Sequence, residues 1–194
     1  MQCGYRTDVE QFAYPILPWR VPDTASEAGM IDVRALANAI LDEADARSVE
    51  VTNMALNKIA YFVHCDYLVE KSQPLVGAKI EAWQHGPVFR EIYHEFKRWG
   101  DEPVRSRAVK IDPETGEPKL AQASLTRDER DYLALLIDRY VRFSAAYLRA
   151  ISHADGGPWR RVWGHDGRAN PGMKISNELI KTHYSSGVRN DSLH

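Results

Sequence analysis

TNMALNKIAYFVHCDYLVEK, residues 52–71, decides how the rest of the chain must fold. Thr52 is a good helix N-cap, and the apolar positions after it recur at helical spacing. Leu56, Ile59, Ala60, Val63 and Tyr67 fall on one face, and Met54, Lys58, Tyr61 and Cys65 on another. A helix apolar on nearly two faces belongs in the middle of a domain. Lys58 is its odd member, because a lysine there must reach a carboxylate, a carbonyl or solvent.

The flanking sequence supplies what such a helix needs around it. Asp32 is placed to cap a helix running to about Ala46, with Val33, Leu36, Ala37, Ile40 and Leu41 at helical spacing. Downstream, KIEAW (79–83) reads as a short strand, His85-Gly86-Pro87 as a turn, and Val88 to Trp99 as a helix stopped at Gly100. VRSRAVKI (104–111) and KLAQASL (119–125) read as a hairpin across the turn-rich DPETGEP. Thr126 and Glu129 form a capping box for a helix through Tyr140, and Ser144 caps the next. PWRRVW (158–163) reads as a short turn and Ile175 to Tyr184 as a last helix. The expected fold is α+β and mainly helical, with about six helices and a small antiparallel sheet of about three short strands. Residues 1–30, with Pro15, Pro18 and Pro22 among scattered aromatics, read as an arm, 31–185 as the domain and 186–194 as a polar tail.

Bulk composition bounds the function. The chain has 194 residues, 44% hydrophobic and 27% charged, an ordinary globular mixture. Its 25 basic residues stand against 27 acidic ones, so non-specific binding to nucleic acid or membrane is disfavoured. Two cysteines, Cys3 and Cys65, fit the reducing cytoplasm and exclude CxxC metal sites. No apolar run reaches the length of a spanning helix.

The densest chemistry lies in IEAWQHGPVFREIYHEF, residues 80–96. Glu91 and His94 have the i, i+3 spacing that shares a metal in carboxylate bundles, but no second such motif completes the site. There is neither a G-x-S-x-G elbow nor a Walker or dinucleotide fingerprint. No metal, cofactor or small-molecule substrate is expected. An enzyme built on His85 and Glu91 is one rival reading, to be decided by whether the two converge in a water-excluding pocket. A DNA-binding regulator of its own operon using Arg160 and Arg161 is another. Tryptophan, tyrosine and arginine dominate binding energy at protein interfaces, and Trp83, Arg90 and Tyr93 cluster with His85 around one turn. The chemistry therefore favours a binding module over an enzyme.

The order L-x-K-I-A-Y-F (56–62), PL (74–75), I-E-A-W-Q-H-G-P-V (80–88), I-Y-H-E-F-K (92–97), L-x-x-I-S-H (148–153), P-W-x-x-x-W (158–163) and I-S-N-E-L-I (175–180) resembles the Panacea domain, the SocA-like antitoxin family. The likeness runs over roughly 32–185, and Gln84-His85 stands where an aromatic is expected before the glycine. It implies a non-enzymatic antitoxin that neutralises a cognate toxin by direct contact and, in SocA-like members, delivers it to a ClpXP-type protease. Carried over residue by residue, it marks Leu56, Lys58, Tyr61, Trp83, Gly86, Pro87, Val88, Tyr93, His153, Pro158 and Trp159. The expected contact face holds Lys58, Tyr61, Glu81, Trp83, His85, Arg90 and Tyr93, with part of the pattern serving the fold.

Overall fold

A computed structural model describes residues 29–164 and 173–187. Most of the expected arm and tail therefore lies outside the described residues. The elements in chain order are α1 (Val33–Ala46), α2 (Asn53–Lys71), β1 (Ile80–Trp83), β2 (Gly86–Phe89), α3 (Arg90–Phe96), β3 (Val109–Ile111), β4 (Pro118–Leu120), α4 (Arg127–Asp138), α5 (Ala145–Ser152), α6 (Pro158–Trp163), β5 (Lys174–Ile175) and α7 (Asn177–Gly187). The α+β, mainly helical class read from the sequence is the one observed.

The caps hold where local chemistry sets them. Asp32 accepts from the Arg34 amide at 2.8 Å, Thr52 from Ala55 at 3.3 Å and Ser144 from Tyr147 at 3.1 Å. Both halves of the Thr126–Glu129 capping box are present, at 3.3 and 2.8 Å.

As its two apolar faces require, α2 is the centre of the domain. It packs against α1, α3, α4, α5, α7 and β2. Leu56, Ile59, Ala60, Tyr61, Phe62, Val63, Cys65 and Leu68 are all buried, and Phe62 stacks on Tyr140 of the α4–α5 connection with centroids 5.2 Å apart. Burying each large apolar side chain stabilises by about 1.5–3 kcal/mol, so this helix anchors the core.

The sheet differs in detail from the one expected. Val88 and Phe89 belong to β2 rather than to a helix, and α3 starts only at Arg90. β1 and β2 form a hairpin in the register Trp83↔Gly86, Ala82↔Pro87, Glu81↔Val88, Ile80↔Phe89, closed by Gln84 and His85. Lys174 and Ile175, the second of them expected to open the last helix, form β5 and pair with β1, giving the antiparallel order β2-β1-β5. PWRRVW is helical, a seventh helix with Pro158 at its first positions.

β3 and β4 make a separate two-stranded sheet, shorter than expected. Ahead of it, residues 104–107 are drawn to α1 and its exit instead: Val104 donates to the Val51 carbonyl at 2.9 Å, Arg105 pairs with Glu50, and Arg107 with Asp42 and Asp45. Asn38 of α1 clamps the hairpin base, accepting from the Ala108 amide at 2.7 Å and donating to the carbonyls of Ala108 and Ala121, each at 2.9 Å.

Candidate functional site

The β1–β2 hairpin lies across α2, and the residues singled out in the sequence separate there into an inner knot and an outer edge. Lys58 is only 1% exposed. Its ammonium donates to the Pro87 carbonyl at 2.9 Å, so of the carboxylate, carbonyl or solvent that a lysine on this helix was expected to reach, it reaches a carbonyl. Burial, and secondarily Arg149, lower its pKa to about 7.

Gly86 makes this approach possible. Its φ of +104° is a conformation that side chains resist, and a Cβ there would meet Lys58 Cε at 2.7 Å, Ser152 Oγ at 2.8 Å and His153 Nε2 at 3.2 Å. The backbone of β2 thus passes close over α2 and the end of α5.

A second set of contacts closes the knot from α6. Trp159 donates its indole N–H to the Trp83 carbonyl at 2.8 Å. The His153 ring lies flat on Trp159, 3.6 Å between centroids at 6°, and Trp163 continues the stack at 5.7 Å. Burial, then Arg149 and Lys58, lower the His153 pKa to about 4, so its imidazole is neutral near pH 7. Leu56, Val88 and Pro158 are buried in the same region.

Two buried asparagines complete the support, and the sequence reading did not single them out. Asn57 accepts from the Phe89 amide at 3.0 Å and donates to Asn53 at 3.0 and 3.1 Å. Asn53 in turn donates to the Tyr93 carbonyl at 3.2 Å, tying α3 to α2. Their signal was the one that flagged Lys58: a polar side chain inside a helix with no polar face needs an acceptor or donor elsewhere.

The expected contact face is thereby divided. Lys58 and Tyr61 point inward, and Tyr61 is sealed beside Phe62, with burial raising its pKa. Glu81 is also buried. Its carboxylate accepts from Trp83 Nε1 at 2.9 Å and lies 3.3 Å from Lys79 and 4.0 Å from Arg90. Trp83 is half-buried, and its ring meets Tyr93 edge to face at 4.8 Å. His85, Arg90 and Tyr93 are exposed. The outward edge is therefore Trp83, His85, Arg90 and Tyr93, held from behind by Lys58, Glu81 and Asn57.

His85 and Glu91 both stand in solvent, so this pair does not form the water-excluding pocket an enzymatic site would need. Glu91 and His94 are exposed on α3, and among the described residues no group of three or more His, Cys, Asp or Glu side chains is placed to hold a metal. Cys65 is buried, which pushes its thiol pKa up and away from reactivity. Arg161, one of the two arginines of the DNA-binding reading, donates to the Gly156 carbonyl at 2.8 Å, and Arg160 lies 3.9 Å from Asp155. No described helix is long and apolar enough to cross a membrane.

Comparison with known proteins agrees with the pattern of this knot. The family described as Antitoxin SocA-like, Panacea domain, matches residues 56–160, which hold α2 from Leu56 onward and the His153–Trp159 stack. Antitoxin SocA of Caulobacter vibrioides (strain NA1000 / CB15N) is 33% identical over 165 residues, covering 84% of this chain and 88% of that protein. No solved structure matches the chain.

Proposed function

The chain belongs to the SocA-like antitoxins of the Panacea domain family, and from that premise we propose that it neutralises a cognate protein toxin by direct contact through the outward edge of the β1–β2 corner. The observation that supports this face is the mounting of Trp83, His85, Arg90 and Tyr93. Trp83 stands on a hairpin fixed by Lys58, Gly86 and Trp159, and its aromatic partner Tyr93 and the exposed guanidinium of Arg90 stand beside it on α3. Such rigid aromatic and arginine anchors lose little freedom on binding, which is what a contact hot spot requires. Lys58, Tyr61 and Glu81 act in this reading as supports that aim the edge.

The proposal extends to the toxin's fate in the cytoplasm. Once held, the toxin is delivered to a ClpXP-type protease, the antitoxin acting as adaptor rather than as a passive mask. The test is co-expression with the protein encoded beside it, scoring growth and then toxin half-life with and without ClpXP. Growth rescue with a half-life shortened only when the protease is present supports the adaptor. Rescue with a stable co-purifying complex leaves masking alone, and absence of both rescue and complex removes the antitoxin reading for this pair.

A further inference from the structure

Strand alternation turns Ile80, Ala82, Phe89 and Ile175 into the core and leaves the other face of the β2-β1-β5 sheet to charge. On that face Glu81 stands opposite Val88 on one side and Lys174 on the other, and Lys79, Trp83 and Arg90 fall on it by the same alternation. Glu81 is buried, and its needs are met within the sheet. One carboxylate oxygen accepts from Trp83 Nε1 at 2.9 Å, and the other lies 3.3 Å from the Lys79 ammonium.

Arg90 is then in excess. It comes no nearer to Glu81 than 4.0 Å, within ion-pair range but beyond a hydrogen bond, and its side chain is 60% exposed. Among the described residues its guanidinium donates no hydrogen bond, so a fork of five N–H groups is open to a partner. The acids of its own helix are turned aside. Glu91 and Glu95 lie about 100° and 140° round α3 from Arg90, while Tyr93 and His94 share its side. Lys174 is exposed too, and Glu178 of α7, which feels it, is shared with Lys181.

We infer that the toxin presents an acidic side chain to this face, an aspartate or glutamate seated on the Arg90 guanidinium, with Lys174 across the sheet adding to the attraction. The inference rests on the antitoxin reading of the corner and names the partner chemistry that fits it. Any partner that covers Trp83 and Tyr93 must also take Arg90 out of water, which is costly unless the charge is paired. A carboxylate pairs it through two parallel N–H···O bonds, a match to the planar fork that no apolar group offers. An excess this local suits one side chain rather than a polyanion: the whole chain carries a net charge of −2, and Glu81 in the middle of the face repels a run of phosphates.

The test uses the full chain and the protein encoded beside it. Arg90→Gln combined with Lys174→Gln, both at exposed positions, is expected to leave the thermal melt in place and to slow association about tenfold at low salt. The difference should vanish near about 1 M salt, where the screening length is about 3 Å. Arg90→Lys, which keeps the charge and loses the fork, should associate normally and dissociate faster. In the unaltered complex a water-soluble carbodiimide, which takes up the water lost as a lysine amine and a carboxylate form an amide, should join Lys79 or Lys174 to an aspartate or glutamate of the toxin. A complex whose rates ignore both the variants and the salt, with no such cross-link, overturns the inference and leaves the antitoxin reading standing. Absence of any complex at every salt concentration removes both. Binding of a random-sequence DNA duplex that is lost with Arg90 and Lys174 would assign the face to phosphate and also overturns it.

Discussion

Lys58 and Pro87 are joined by one hydrogen bond of 2.9 Å, from an ammonium in the centre of the core to a carbonyl of the neighbouring hairpin. Burial, then Arg149, act on the lysine, and both oppose its charge. The bond fixes β2 on α2 at the expense of burying a group that water would hold more comfortably.

That arrangement carries a pH dependence of known sign. Between about 7 and the ordinary 10.5, the unfolded chain binds a proton at Lys58 that the folded chain does not. Stability therefore rises with pH through this window, by up to about 1.4 kcal/mol per unit, and the cost of the buried charge is fully present below it. Lys58→Met, similar in volume, should abolish this slope. Urea unfolding of both proteins at pH 7, 8.5 and 10 checks it, and parallel curves would mean that the folded state leaves the amine charged.

His153 carries a dependence of the same sign in a lower pH window. Its folded pKa near 4 lies below the ordinary 6.5, so the unfolded chain takes up a proton first as pH falls. Stability should drop between pH 6.5 and 4 and then level off with respect to this group. His153→Phe keeps a flat ring on Trp159 and should flatten that part of the curve, read from thermal melts across the range.

Gly86→Ala tests the close approach. A Cβ at φ +104° would be strained and would overlap Lys58 and Ser152. The expected loss is about 3 kcal/mol or more, combining backbone strain with overpacking, visible as a lower urea midpoint. Gly100→Ala is the control: φ there is +55° but nothing lies within 4 Å, so the loss should be nearer 1 kcal/mol.

Arg90→Ala with His85→Ala tests the edge rather than its support. Both side chains are exposed, so the melt should move by no more than about 0.5 kcal/mol per site. Affinity for the toxin should fall at least tenfold, measured by calorimetry on the purified pair. Unaltered affinity would move the contact face elsewhere on the domain.

What was legible in the sequence is what depends on near neighbours. Asp32, Thr52, Ser144 and the Thr126–Glu129 box are caps whose partners lie within three positions, and each cap forms as expected. The central place of α2 was legible too, because two apolar faces admit no other. Val88 and Phe89 misled because they sit in helical phase with Ile92 and Phe96. What makes them strand is β1 beside them and Asn57, 32 positions away, which receives the Phe89 amide. β5 has only two residues and no pattern of its own; it is defined by pairing with Ile80 and Glu81. At the site, the need of Lys58 for an acceptor could be read, while the identity of that acceptor and the inward direction of Tyr61 depend on how the hairpin crosses the helix.

The division of the corner into an inner knot and an outer edge separates two kinds of change. On the proposed reading, substitutions at Lys58, Gly86 or Trp159 bear on the stability of the domain, and substitutions at His85, Arg90 or Tyr93 on the partner it holds. Because different atoms carry the two properties, the edge can be rewritten one residue at a time without reopening the core. A scaffold wired this way is a natural starting point for retargeting: a library confined to Gln84, His85, Arg90, Tyr93 and His94 should remain largely folded while its members sample new partners.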